Sequence, residues 1–456
     1  MTELQTMMPR YEKYKDSGVE WIGDIPTQWS TNRLKFISKM FVSNVDKNIK
    51  KLEIPVKLCN YVDVYKNNYI TNNLLFMQVT ATGEEIIRFK IKIGDVLITK
   101  DSEDWLDIGV PSLVKYEEPN LLCGYHLAII RAYHQICGEF LFWSLLAQYN
   151  RIYFSIMANG VTRYGISQGV INNTWLLCPP YQEQITIATF LNCKTAKIDQ
   201  AIAIKKKQIN LLKERKQILI QNAVTKGLDP DAPMRDSGVE WIGEIPRHWK
   251  MKRAKYLFTE VDERSTTGKE ELLSVSHITG VTPRSEKNVT MFLSENYTGS
   301  KTCQKDDLVF NIMWAWMGAL GVSDRSGIIS SSYGVFRQQE KNSFNSKYLE
   351  YLLKTTGYIE HYCRVSTGLH SSRLRFYGHM FFNMEIGFPD RKTQDEIITH
   401  IQTQSTKINK AIALQEQMID KLKEYKATLI NSAVTGKIKV PMQNEANTAD
   451  LKAIKP

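Results

Sequence analysis

The stretch Asp16-Ser-Gly-Val-Glu-Trp-Ile-Gly23 returns, residue for residue, as Asp236-Ser-Gly-Val-Glu-Trp-Ile-Gly243, 220 positions on. The match continues through Ile25-Pro26 against Ile245-Pro246 and Trp29 against Trp249. Eight consecutive identities that include a tryptophan do not arise by chance in one chain, so an internal repeat decides the architecture. Working outward, Gly94-Asp95-Val96-Leu97 faces Asp306-Asp307-Leu308-Val309, and Gly109-Val110 faces Gly321-Val322, both 212 apart. Phe140-Leu141 and Trp143 answer Tyr348-Leu349 and Tyr351, and Gly160 answers Gly368, at an offset of 208. Ile187, Lys197-Ile198, Ala201-Ile202, Leu219-Ile220 and Ala223-Val224-Thr225 return 210 on, as Ile397, Lys407-Ile408, Ala411-Ile412, Leu429-Ile430 and Ala433-Val434-Thr435. The small drifts are loop insertions, and the chain reads as an end-to-end duplication of a unit of about 210 residues.

Both copies share one internal plan. A mixed region comes first, with β-rich runs such as Asp95-Val-Leu-Ile-Thr99 and Leu127-Ala-Ile-Ile130 broken by Gly, Pro, Asn and Asp. A long helix follows. No Pro or Gly falls between Gln182 and Thr225 or between Lys392 and Thr435, while Pro179–Pro180 and Pro389 stand just upstream and Gly227 and Gly436 just beyond. Some 44 residues at ~1.5 Å each make a rod of about 66 Å. Ile198, Ile202, Ile209, Leu212, Leu219 and Ala223 follow a four–three spacing interrupted by Lys205 and Lys216. Ile408, Ile412, Ile419, Leu422, Leu429 and Ala433 repeat it, interrupted by Gln415 and Lys426. Such a seam packs helix on helix. A connecting domain with a radius of gyration of only ~15 Å must join the end of one rod to the start of the next, which makes the pair antiparallel. Lys205 is then expected beside Lys426, and Lys216 beside Gln415. The fold class expected is α+β: two tandem α/β domains in pseudo-twofold arrangement, separated by two long antiparallel coiled-coil helices.

Composition narrows the function. Of 456 residues, 59 are Lys or Arg and 48 Asp or Glu, a net charge of +11, which calls for an anionic partner. At 43% apolar the chain has enough material for a sizeable core, against disorder or a collagen-like fibre. Seven dispersed cysteines with no CxxC pair suit a reduced, cytoplasmic protein, and Met1–Asp16 has no apolar segment of a secretory signal. The most apolar uncharged run, Leu308–Ser323, contains Asn311 and two glycines and is shorter than the ~18–20 residues of a spanning helix. Buried strands are the better reading, so nucleic acid is favoured over a membrane.

Catalytic chemistry is sparse. Pro179-Pro180-Tyr181 has Cys178 before it, where an amino-methyltransferase motif would place the Asn that grips the exocyclic amine. There is no GxxxxGK[ST] phosphate loop. His361, Cys363, His370 and His379 cluster without two close ligand pairs, so no metal site is expected. Glu84–Glu85 and Asp101, Glu103 and Asp104 are the acidic groups a nuclease would need, yet the second copy has Trp314-Ala-Trp316 in the place of the latter group. They read as solvated loop, and no catalytic residue is assigned.

DNA reading is better served. Asn159-Gly-Val-Thr-Arg-Tyr164 and Thr367-Gly-Leu-His-Ser-Ser-Arg-Leu-Arg375 are corresponding loops, rich in donors and small hydroxyl residues. Arg forks on to guanine O6 and N7, Asn on to adenine N6 and N7, and hydroxyls suit phosphate oxygens. The candidate DNA contacts are therefore Asn159, Thr162, Arg163, Tyr164, His370, Ser371, Ser372, Arg373 and Arg375. Between Lys194 and Lys226, nine Lys or Arg stand against Asp199 and Glu214, a charge that serves DNA, an acidic partner or solvent equally well.

Taken together, SGVEWIG-x-IP-x-x-W, Pro-Pro-x-x-Glu183-Gln184 and Asn222-Ala-Val-Thr-x-Gly227 resemble the specificity subunit of type I restriction-modification systems, over nearly the whole chain and in both halves. The second copy departs at the helix start, with Pro389-Asp390 and Thr393-Gln394. The resemblance implies a non-catalytic subunit whose two target-recognition domains, 1–181 and 227–390, each read half of a split double-stranded DNA sequence. Spacer helices 182–226 and 391–436 separate them, with a tail at 437–456. It implies two modification subunits that bind S-adenosylmethionine and methylate adenine, and restriction subunits that use ATP and Mg2+, with no cofactor on this chain. The alternatives are a coiled-coil scaffold or a self-contained restriction or methylation enzyme.

Overall fold

The computed structural model describes residues 8–287, 296–368, 370 and 373–441. Two compact units divide the chain: Met1–Lys205 with Glu416–Pro456, and Lys206–Gln415. No helix among the described residues is long and apolar enough to cross a membrane.

The first unit is built on a five-stranded sheet, in the order Ser38–Val42, Leu127–Ala132, Val96–Thr99, Pro111–Val114, Tyr69–Ile70. Only the last pair is parallel. Its central strand Val96–Thr99 is wholly buried, because alternate side chains serve two cores. Val96 and Ile98 join Trp29, Trp143 and Phe154 on one face, while Leu97 joins Val114, Leu127 and Ile129 on the other. The second unit repeats the device in four strands, Phe258–Glu260, Gly334–Gln338, Leu308–Phe310 and Leu320–Val322, all antiparallel. Leu308–Ser323 is thus two strands joined through a short 3-10 helix, Ala315–Met317. The same ion pair braces both sheets. Arg131 forks on to Asp95 with two bonds of 2.7 Å, and Arg337 on to Asp307 at 2.8 and 2.9 Å. Asp95 and Asp307 are buried.

The long helices run Tyr181–Lys226 and Arg391–Val434. Their starts are fastened alike. Gln184 donates to the carbonyls of Pro179 and Gln135 and accepts the Cys137 amide, while Gln394 donates to Pro389 and Ser343 and accepts the Asn345 amide. Both glutamines are buried with every amide atom used, which explains why the Gln persists where the rest of the helix-start motif lapses. Asp390, in the place of the second proline, caps Thr393 through its backbone and hydroxyl. At the other ends, Gly227 and Gly436 take positive φ (80° and 68°), the left-handed turn that closes a helix. The repeated motif forms the socket there. In the first unit Gly436 lies against Pro26 and Trp29, and in the second Gly227 lies against Trp249.

Each unit holds the start of one long helix with the end of the other, so the helices run antiparallel within it. Ile198, Ile209, Ile408, Ile419 and Leu429 are buried, and Ile202, Leu212, Leu219, Ile412 and Leu422 half-buried. The expected polar partners are corrected. Lys426 pairs with Asp199 at 2.7 Å, not with Lys205, and Lys216 donates to Asn409 at 3.1 Å, not to Gln415. The two contacts are repeat-equivalents. In each, a seam lysine reaches a polar residue beside a seam isoleucine rather than one on the seam itself.

Candidate nucleic-acid interface

Each candidate loop leaves a ten-residue helix, Gln148–Met157 or Thr356–Val365, and leads to a short one, Gln168–Asn172 or Gly378–Asn383. Both are pinched shut by a two-way backbone bridge. Asn159 and Gly165 exchange bonds of 3.0 and 2.9 Å, and Thr367 and Arg375 exchange bonds of 3.1 and 2.8 Å. Seven residues therefore make the first loop and nine the second. A Cβ on Gly160 would fall on the carbonyl oxygen of Arg163, and one on Gly368 on that of Arg373, so only glycine fits the second position of either loop. Each loop is also tied to the chain just past the end of an interior strand of its sheet. The Ile166 amide donates to Lys100 at 2.8 Å and the Phe376 amide to Ile312 at 3.0 Å.

Asn159, Thr162 and Arg163 are exposed and Tyr164 half-buried. Asn159 turns its amide back to the Met157 carbonyl, 3.1 Å away. Arg163 donates from Nη2 to Asp101 Oδ1 at 2.8 Å, and the other oxygen of Asp101 meets Nδ1 of His126. Asp101 is thus not the solvated loop acid expected of it. His126 was not singled out from the sequence, and no local motif could have found the group, since its members lie 25 and 62 residues from Asp101. In the second loop His370 and Arg373 are exposed, and Arg375 is half-buried with Nη1 on the Leu374 carbonyl at 3.0 Å. Ser371 and Ser372 lie outside the described residues. Arg373 makes no ion pair among them. His361 stacks on Trp241, ring centres 4.2 Å apart, and burial beside Arg364 pushes its pKa down to about 4.

The scaffold has known counterparts. No protein-family model matches the sequence. The chain is 21% identical over 445 residues to the type I restriction enzyme MjaVIII specificity subunit of Methanocaldococcus jannaschii, covering 92% of this chain and 95% of that one. The chain is thus similar, over nearly its whole length, to a type I specificity subunit. Its fold is shared with the HsdS subunit of Thermoanaerobacter tengcongensis, at a TM-score of 0.54 and 15% identity over 91% of this chain and 98% of that one. A chain from a structure described as showing complex assembly and conformational transition of the type I R-M system matches at a TM-score of 0.65 and 14% identity, over 91% and 99%.

Two apolar surfaces stand open on the scaffold. Ile204, Leu211 and Ile218 stand exposed at seven-residue spacing on the first long helix, away from the buried seam. In the first unit a groove of about 1080 Å³ is lined by exposed Trp105, Leu106, Ile152 and Ile156 together with Ile202 and Ile430. The second unit has a smaller groove of about 350 Å³ between Met317, Tyr351 and Ile220 at matching repeat positions.

Proposed function

We propose that this chain is the non-catalytic DNA-recognition subunit of a type I restriction-modification complex. It binds a split double-stranded target and directs modification and restriction subunits to it. The observation that carries the reading is that two closely matched scaffolds, with the same strand order, the same arginine–aspartate brace and the same glycine-pinched loop, present different side chains at one place. One frame with two exchangeable loops is what reading two unlike half-sites requires. We assign recognition to 1–181 and 227–390, spacing to the long helices at 182–226 and 391–436, and base or phosphate contact to Asn159, Thr162, Arg163, Tyr164, His370, Ser371, Ser372, Arg373 and Arg375. Lysine and arginine contacts to phosphate give affinity, and base-edge contacts give choice at roughly 1–3 kcal/mol each. S-adenosylmethionine, ATP and Mg2+ act on the partner subunits, in the cytoplasm.

The test is to express the chain with a modification subunit, map the methylated adenines, and measure binding to target fragments with Arg163→Ala and Arg373→Ala. Each variant is expected to relax or weaken one half-site. Unchanged affinity and preference in both would end the loop assignment. The purified chain alone, given DNA with Mg2+ or S-adenosylmethionine, is expected to turn nothing over. Leu211→Lys with Ile218→Lys is expected to block assembly with the modification subunit while leaving the chain folded.

A further inference from the structure

Arg163 and Arg373 stand at equivalent places, three residues before the amide that ties each loop to its sheet. Their surroundings differ. The residue after the accepting carbonyl is Asp101 in the first unit and Met313 in the second. In the strand registers Ala128 faces Ile98 and Gly334 faces Phe310, which puts Ser332 in the place of His126. The buried Asp95–Arg131 brace recurs as Asp307–Arg337, whereas the loop pair Asp101–Arg163 does not recur. A brace needed by the frame is kept in both copies. A pair that varies while the frame stays belongs to what the loop reads.

Asp101 is well fixed for such a role. Its backbone lies in the short strand Asp101–Ser102, paired with Tyr164–Gly165 at the base of the loop. One carboxylate oxygen takes Arg163 and the other takes His126. His126 adopts φ +69°, unusual for a residue with a side chain, and its carbonyl accepts the Lys100 amide at 2.9 Å. The Asp101 side chain is only 19% exposed, while that of Arg163 is 54% exposed. Nη2 of the guanidinium is therefore held by Asp101, while the other donors of its rigid planar fork make no hydrogen bond among the described residues. Pairing with a carboxylate removes most of the long-range pull on phosphate but leaves directional hydrogen bonds, and pinning the side chain beforehand lowers its ordering cost on binding. Both effects favour a base edge over the backbone. The base whose major-groove edge offers two acceptors to such a fork is guanine, through O6 and N7. Arg373, with no carboxylate partner among the described residues, keeps its full charge for phosphate.

We propose that Asp101, steadied by His126, is a positioning residue that aims Arg163 at one guanine in the half-site read by the first unit, while Arg373 grips phosphate in the other. The inference rests on the reading above that these loops meet DNA. It is tested in the complex with a modification subunit, by methylated-site mapping and by binding across a salt series. Asp101→Asn and Arg163→Lys are each expected to relax one G·C position of one half-site by about tenfold to a hundredfold, leaving the other half-site intact. Arg163→Lys keeps the ion pair but loses the fork, so it reads the proposal even if Asp101→Asn folds poorly. Arg373→Ala is expected to lower the slope of log affinity against log salt by about one, and Arg163→Ala to leave that slope unchanged. Full preference in Asp101→Asn, with preference lost in Arg163→Ala, overturns the role of Asp101 while the loop assignment stands. A slope that falls by about one in Arg163→Ala with preference intact makes Arg163 a phosphate contact and overturns the guanine assignment. No effect of any arginine variant overturns the loop assignment and this proposal with it.

Discussion

Replacing Gly436 by alanine should cost far more than replacing Gly227, although the two close equivalent helices. Both residues sit in the left-handed region, at φ 68° and 80°, so alanine pays the same backbone penalty at either, about 1–2 kcal/mol. The surroundings separate them. A Cβ on Gly436 would stand 2.5 and 2.6 Å from the Pro26 ring and 3.3 Å from Trp29, whereas one on Gly227 would meet only Trp249 at 3.6 Å, an ordinary contact. Proline cannot rotate away and Trp29 is fully buried, so relief must come from shifting the packed motif. Overpacking of that kind adds about 1–3 kcal/mol. The expected loss is therefore about 2–5 kcal/mol for Gly436→Ala and about 1–2 kcal/mol for Gly227→Ala. Urea unfolding followed by tryptophan fluorescence gives both numbers. If Gly227→Ala proves as costly as Gly436→Ala, the socket argument is wrong and the left-handed turn alone accounts for the glycines.

Three further outcomes are expected. Arg131→Met strands the 2%-exposed Asp95 carboxylate and should cost about 3–5 kcal/mol, whereas Arg163→Met beside the better-hydrated Asp101 should cost about 1 kcal/mol or less; urea midpoints at neutral pH decide it. Gln184→Leu leaves the Cys137 amide and the Pro179 carbonyl without their partner and should lose about 2–4 kcal/mol by the same measurement. His361 has its folded pKa pushed below the unfolded value near 6.5, so the stability it supports is complete above about pH 6.5 and is lost as pH falls toward 4. His361→Phe should therefore flatten the fall in urea midpoint between pH 6.5 and 4 by about 1–2 kcal/mol, after allowance for the ring's partial exposure; an unchanged pH profile refutes the assignment.

The long helices were legible because they rest on local signals: no Pro or Gly inside, proline before, glycine after, and an apolar seam. Their register was not. A seam of near-seven period is satisfied by several offsets, and what chooses among them here is non-local. Gln184 and Gln394 fasten the starts, while Trp29 and Trp249 receive the ends. The strands Val96–Thr99 and Leu308–Phe310 were readable as apolar runs because they are buried on both faces. The loops at Asn159–Tyr164 and Thr367–Arg375 were found through the repeat, which aligned two dissimilar stretches around one glycine. Asp101 was passed over because a cluster of acids in a loop is usually hydrated, and nothing near it in sequence points to His126 or Arg163. The repeat held a usable hint even there, since the acid has no counterpart in the second copy.

The closing of the first unit by residues from far down the chain has a bearing on how the molecule is made. The second unit is one continuous stretch, and its core is complete once Gln415 has been synthesised. The first unit begins with residues made before those of the second but must wait for Glu416 onward, because Leu429, Ala433, Val434, Ile438 and Val440 belong to its core and the Lys439 amide bonds the Pro9 carbonyl at 2.7 Å. During translation the half that starts first therefore finishes last. Until then it carries an open apolar seat around Trp29, the place where a nascent chain of this kind most needs shielding by a chaperone.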